Sequence, residues 1–241
     1  MWKLFFEICD ILCWLIPSRS RRDTIRRVHL YDWRNKYNAL RRAFPELNFR
    51  HTRIIKGGWN IGFIVDKKYV FKIRKRFDAN TPAEKIMREK RITDAFRAIS
   101  PFKIPHIEIV TTNGFTFFKY DFIPGHNLNT CSESCIKINA HKIGKQLAQF
   151  INAIHNARPS SIEDLRTTDG DGWNHNDICN NIIINKKTMN VVGLIDWEYS
   201  GWGKLDTEFK NITRFSKKIR NSGLGDIVIQ EYKKLNTQNE K

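Results

Sequence analysis

The 241 residues include 41% apolar side chains, with 16 Phe, 7 Trp and 6 Tyr, enough to build the core of one two-lobed domain or two small ones without disulfides, which excludes a disordered chain. No apolar run approaches the ~20 residues that a spanning helix needs, which excludes an integral membrane protein. The net charge of +17 is uneven: residues 1–100 hold 24 basic and 10 acidic side chains, whereas residues 151–200 hold 4 and 7, a balance that suits an anionic partner at the front and a carboxylate-based site later, or simply a solvated basic surface.

Residues 2–16 are nearly all apolar, broken by Lys3, Glu7 and Asp10, three charges that fall within about 60° of one another on a helix. Pro17 stops that helix, and Arg19, Arg21, Arg22, Arg26 and Arg27 follow. An apolar helix ending in an arginine cluster suits an anionic membrane surface; packing on the chain's own domain or on a partner helix is the competing reading. A signal peptide fits poorly, because Glu7 and Asp10 interrupt the apolar stretch. Residues 30–45 read as a second amphipathic helix carrying Tyr31, Trp33, Tyr37, Leu40 and Phe44.

The pattern then turns to strands at 53–56, 63–65 and 69–73, with Gly57-Gly58-Trp59-Asn60-Ile61-Gly62 as a glycine-rich turn. Glycines there would let backbone N–H groups approach a phosphate, although most such turns are only turns. Lys72 lies mid-strand among apolar residues, where an ammonium is costly unless an anion meets it. A helix is expected over 82–96, including Glu84 and Glu89, then a strand pair around 107–110 and 115–120, with Phe122-Ile123-Pro124-Gly125 as a connector. Residues 140–156 place Ile143, Leu147, Phe150, Ile151 and Ile154 on one helical face. Strands at 182–184 and 191–195 flank a turn at Lys186–Thr188, and helices follow from Phe209. The five cysteines fall as Cys9/Cys13, Cys131/Cys135 and Cys179, spacings that match no zinc or redox motif and read as reduced helical neighbours in the cytosol.

The most informative stretch is His175-Asn176-Asp177-Ile178-Cys179-Asn180-Asn181, followed by Ile195-Asp196-Trp197-Glu198. A hairpin would bring Asp177, Asn181 and Asp196 to one end, and two carboxylates with an amide are hard oxygen donors suited to Mg²⁺ and phosphoryl transfer. Asp and Asn clusters are also ordinary turn residues.

Together these motifs resemble the aminoglycoside phosphotransferase and choline kinase-like group over about residues 50–215. The resemblance implies a protein-kinase-like α+β fold of two lobes. A helical extension would span 1–48, an antiparallel-sheet N-lobe with the nucleotide loop 49–121, and a mainly helical C-lobe with the catalytic and metal loops 122–241. It implies Asp177 as catalytic base, Asn181 and Asp196 as Mg²⁺ ligands, and Gly57, Gly58, Asn60 and Gly62 as the nucleotide loop. Lys72 would hold the ATP phosphates, positioned by Glu89 with Glu84 as fallback, and backbone groups around Asp121 and Ile123 would meet adenine. His175 would brace the loop, and Trp197 would pack. Two departures stand out: three residues instead of four separate Asp177 from Asn181, and only 18 separate His155 from Asn174, so the acceptor pocket is small, open or completed elsewhere.

Polycationic aminoglycosides would be repelled by this charge, and the front extension is similar to those on enzymes of lipopolysaccharide or surface-polysaccharide assembly. The expectation is an ATP-dependent kinase of a hydroxyl on an anionic glycan or glycolipid, cytoplasmic and peripheral on the inner membrane face. A small-molecule kinase (choline, sugar or aminoglycoside) and a non-catalytic kinase-like binding protein are the alternatives. Nucleic acid is not an expected partner, because no recognition motif accompanies the basic charge.

Overall fold

The structure, a computed structural model, describes residues 2–25, 32–56, 60–74, 83–214 and 216–239. They fold as two compact units, one formed by 1–81 with 107–122 and the other by 82–106 with 123–241.

The first unit begins with α1 (Trp2–Cys13), α2 (Arg19–Ile25) and α3 (Asp32–Ala43) and continues into an antiparallel sheet. The sheet comprises β1 (Arg53–Lys56), β2 (Asn60–Val65), β3 (Tyr69–Arg74), β4 (Glu108–Thr112) and β5 (Phe115–Asp121), in the order β1-β2-β3-β5-β4. The first helix is shorter than expected, because the chain leaves it at Cys13 through a turn before Pro17. Past Pro17 the arginine cluster forms a helix of its own, α2 over Arg19–Ile25, with the Ser18 hydroxyl accepting from Arg21 N at 3.4 Å. Asn60, Ile61 and Gly62 belong to β2 and not to the glycine turn, because each pairs across to β3. The β2–β3 reversal takes residues 66–68, between the paired Val65 and Tyr69, and holds Asp66 and Lys67 in the left-handed region at φ 54° and 53°.

The core of this unit is aromatic. Phe6 of α1 packs on Tyr37 of α3 with centroids 6.2 Å apart, and Tyr37 meets Phe49 at 5.7 Å and Phe63 at 6.3 Å. Lys36 is fully buried, its Nζ bonded to Asp32 at 2.5 Å and donating to Arg74 O at 2.9 Å. Burial pushes its pKa down, and the Asp32 carboxylate opposes that.

The second unit holds α4 (Ala83–Phe96), α5 (Glu133–Ile138), α6 (Ala140–Asn156), α7 (Asp206–Arg214), α8 (Lys217–Asn221) and α9 (Leu224–Asn239). Its strands are β6 (His126–Asn127), β8 (Ile182–Ile184) and β9 (Val191–Leu194) in one sheet, with β7 (Gly172–Asn174) and β10 (Gly201–Gly203) as a separate pair. The apolar face read from the sequence is the buried face of α6. Phe96 of α4 stacks on Trp197 at 5.9 Å and meets Trp173 at 5.7 Å, so Trp197 is a core residue. Two glycines in the 122–125 connector and in β9 are imposed by crowding. A Cβ on Gly125 would lie 2.5 Å from Ile183 Cγ2, and one on Gly193 would lie 2.8 Å from Ile123 Cγ2. All five cysteines are free. Cys131 precedes α5 instead of sharing a helix with Cys135, because Ser132 caps that helix.

Candidate active site

Asp177, Asn181 and Asp196 all lie in the second unit, and the β8–β9 hairpin brings them together. Ile182 pairs with Leu194. One step outward, Ile195 N donates to Asn181 O at 3.1 Å, so Asp196 follows directly beside Asn181. Asp196 lies two residues past β9, with φ at 61°. Left-handed backbone at a non-glycine residue turns the chain sharply and is concentrated at functional sites.

Between Asp177 and Asn181 the chain makes one tight turn, Ile178–Asn180, closed by Asn181 N donating to Ile178 O at 3.1 Å. The shortened loop therefore returns Asn181 to Asp177. Its Nδ2 donates to Asp177 Oδ2 at 2.9 Å and to Asp177 O at 2.8 Å, and Asn180 Nδ2 donates to Asp177 Oδ1 at 2.9 Å. Asn180 Oδ1 is itself taken by Asn129 Nδ2 at 3.1 Å. Asn181 is buried, and the nitrogen of its side-chain amide is the end that serves Asp177. Burial pushes the Asp177 carboxyl above its ordinary value; the two asparagine amides pull it down, and the neighbouring Asp196 charge pushes it up.

Behind the loop, His175 is buried against Trp197, with ring centroids 4.7 Å apart. Asp177 N donates to His175 Nδ1 at 3.3 Å, which leaves Nε2 to carry the proton toward Ile195 O at 3.2 Å. His175 thus ties the loop before Asp177 to the strand end before Asp196. Asn176 is left-handed at φ 65°, and its Nδ2 donates to Tyr199 O at 3.0 Å.

Sequence reasoning missed Glu208 of α7. It is fully buried, and its Oε2 accepts from His175 N at 2.5 Å and from Asn176 N at 3.1 Å. Its Oε1 is buried with no hydrogen-bond partner among the described residues. Burial pushes its pKa up to about 7, opposed by those two N–H groups and reinforced by Asp177. A carboxylate 31 residues beyond Asp177 leaves no spacing signal, so nothing in the sequence marked it. His155, at the end of α6, is also buried; its Nδ1 meets Tyr232 Oη at 3.0 Å, and burial pushes its pKa down to about 4.

The nucleotide candidates divide between the units. In the first, Lys72 pairs directly with Gly62 on β2 and Phe118 on β5, and its Nζ lies 5.6 Å from the Phe118 ring centroid. Directly opposite residues share a sheet face, so on the β2 side Lys72 lies beside a position that carries no side chain. A Cβ on Gly62 would meet nothing closer than Ile55 Cβ at 3.7 Å. Packing among the described residues therefore does not require this glycine. Asn60 opens β2 opposite Arg74, and Asp121 closes β5 opposite Tyr69. Phe122 N donates to Lys68 O at 2.8 Å. In the second unit, Glu89 is buried on α4 and Ile123 is buried against Gly193. Gly57 and Gly58 lie outside the described residues, as does the side chain of Glu84.

No family model and no curated protein matches the chain. Solved structures do match it. An aminoglycoside phosphotransferase, APH(2'')-Ib with ADP bound, aligns at TM-score 0.60 and 15% identity over 81% of each chain. Wild-type aminoglycoside 2'-phosphotransferase-IIIa with GDP aligns at 0.62 and 14% identity, over 82% of this chain and 86% of that one. The macrolide 2'-phosphotransferase MphH of Brachybacterium faecium aligns at 0.59 and 10% identity over 82% of each. The chain has the fold of these phosphotransferases. Asp177, Asn181, Asp196 and Lys72 were read from the sequence as parts of that fold, and the α+β expectation of an antiparallel-sheet unit and a mainly helical unit holds.

Proposed function

We propose that this chain is an ATP-dependent phosphotransferase whose acceptor is a hydroxyl of an anionic glycan or glycolipid of the lipopolysaccharide type, met at the inner face of the cytoplasmic membrane. The observation that carries the phosphotransfer reading is Asp177. It is oriented through both carboxylate oxygens by Asn180 and Asn181, stands beside Asp196, and is reached through a loop that Glu208 and His175 fix. An aspartate held this firmly and pushed up in pKa suits a general base that takes the proton of an acceptor hydroxyl. The hydroxyl oxygen gains a bond to the γ-phosphorus, the bond to the ADP oxygen breaks, and Asp177 holds the proton released. Asn181 Oδ1 and the Asp196 carboxylate are the hard oxygens that fit Mg²⁺. Mg²⁺, when bound, neutralises charge on the phosphates. Asn60, Gly62 and Lys72 would serve the phosphates with Glu89 as the accompanying carboxylate, Gly57 and Gly58 would complete the loop, and Asp121 and Ile123 would meet the adenine.

The acceptor class rests on charge, since a net charge of +17 attracts a polyanion and repels a polycation. A small-molecule acceptor is the second reading, favoured by the solved structures of matching fold, which are named for aminoglycosides and a macrolide. The experiment is transfer of labelled γ-phosphate from Mg-ATP to phosphorylation-free lipopolysaccharide core, choline and kanamycin in parallel, with Asp177→Asn as control. The expected result is labelled glycan, with turnover at least about 10²-fold lower in the variant and nucleotide affinity kept. Undiminished transfer by the variant would refute the role of Asp177; label on choline or kanamycin alone would establish the second reading.

A further inference from the structure

The helix α1 has two apolar lines, and the first unit uses only one. Phe6 and Cys13 are buried, at 2% and 5% exposure, with Phe6 joining the aromatic core through Tyr37. At about 100° per residue these two positions lie about 20° apart. Leu4, Ile8, Ile11 and Leu12 fall within about 100° of arc on the opposite side of the helix, and they are 60%, 46%, 67% and 52% exposed. Trp14 and Leu15, in the turn that follows α1, are 61% and 77% exposed. A helix docked on its own domain needs one apolar stripe; a second one, contiguous and facing water, marks a surface that something apolar covers.

Charge identifies what covers it. The outer line runs into α2, where Arg19 and Arg21 are exposed and the Arg22 guanidinium lies 4.7 Å from the Trp14 ring centroid. Glu7 and Asp10 lie on one flank, between the two apolar lines. A second copy of this chain would bring two arginine clusters and two +17 proteins face to face. An anionic lipid surface accepts the apolar line and the arginines together.

We infer that α1 and α2 form a membrane-docking face. Leu4, Ile8, Ile11, Leu12 and Leu15 enter the acyl boundary, while Arg19, Arg21 and Arg22 lie among anionic headgroups. Phe6 and Cys13 meanwhile hold the helix to the first unit. This deepens the membrane-surface part of the function proposed above and rests on it. Lipid and self-packing, competing readings of the sequence, are served by opposite faces of one helix. The anchor is therefore part of the core and not a flexible tether, and deleting residues 1–27 would damage both.

The test uses the full chain and outer-face variants, floated with phosphatidylcholine vesicles and with vesicles that also contain phosphatidylglycerol. Wild type should float with the anionic vesicles and much less with the neutral ones. Ile11→Ser/Leu12→Ser/Leu15→Ser and Arg19→Gln/Arg21→Gln should each lower vesicle affinity about tenfold or more while keeping the wild-type melting temperature. Phe6→Ala should lower the melting temperature instead. Failure of wild type to float, or equal flotation of the triple-serine variant, overturns the inference. So does a dimer in sedimentation that the triple-serine substitution dissolves. Transfer to a detergent-dispersed acceptor separates the two proposals: transfer without flotation overturns docking alone, and flotation without transfer overturns the phosphotransferase reading alone.

Discussion

Replacing Glu208 with glutamine tests whether the loop before Asp177 is held by a buried, titrating carboxyl. Glu208 has its pKa raised from 4.5 to about 7, so between those values the folded chain binds a proton that the unfolded chain does not. Stability therefore falls as pH rises through that window, by about 3 kcal/mol at 1.36 kcal/mol per unit. His155 has the opposite sign: its pKa is lowered from 6.5 to about 4, so the unfolded chain binds the extra proton. Its contribution is present above the unfolded value and is lost as pH falls toward the folded one, again by about 3 kcal/mol. The two slopes nearly cancel in the wild type. A glutamine side chain at this position would keep one oxygen able to accept from His175 N and Asn176 N but would not titrate. The stability of Glu208→Gln relative to wild type should rise by about 3 kcal/mol between roughly pH 5 and pH 8. Urea unfolding across that range measures it. A difference that does not change with pH would refute the titration at Glu208. Glu208→Ala removes the acceptor of two buried N–H groups, which should cost about 1–3 kcal/mol for each, and should lower turnover by releasing the loop; an alanine variant as stable and active as wild type would refute the bracing.

The remaining predictions concern the proposed metal ligands and the connector. Asn181→Ala should raise the Mg²⁺ concentration needed for half-maximal transfer about tenfold or more, whereas Asn180→Ala, whose amide is used at both ends by the protein, should change it less than about threefold; equal Mg²⁺ responses would reverse the choice of Asn181. Gly125→Ala places a Cβ 2.5 Å from Ile183 Cγ2 and 2.8 Å from Ile184 O, and should destabilise the chain by about 1–3 kcal/mol in thermal unfolding.

Much of this protein is written in short-range sequence. Helical periodicity alone gave α6 its span and its buried face, because five apolar residues at three- and four-residue spacing leave one way to hide them. The Asp177–Asn181 stretch announced itself because its donors are crowded into five positions ahead of an isoleucine-rich strand. Tertiary structure decided the rest. The sequence could not say which apolar line of α1 is buried, because Phe5 and Phe6 are equally apolar and it is packing against residues such as Tyr37, 31 positions on, that selects Phe6. Nor could it mark Lys36 as buried or Glu208 as the support of the loop before Asp177. Each is a charged residue on a helix, and a charge is inward only where a distant backbone group, Arg74 O for one and His175 N for the other, offers the hydrogen bond that offsets its desolvation.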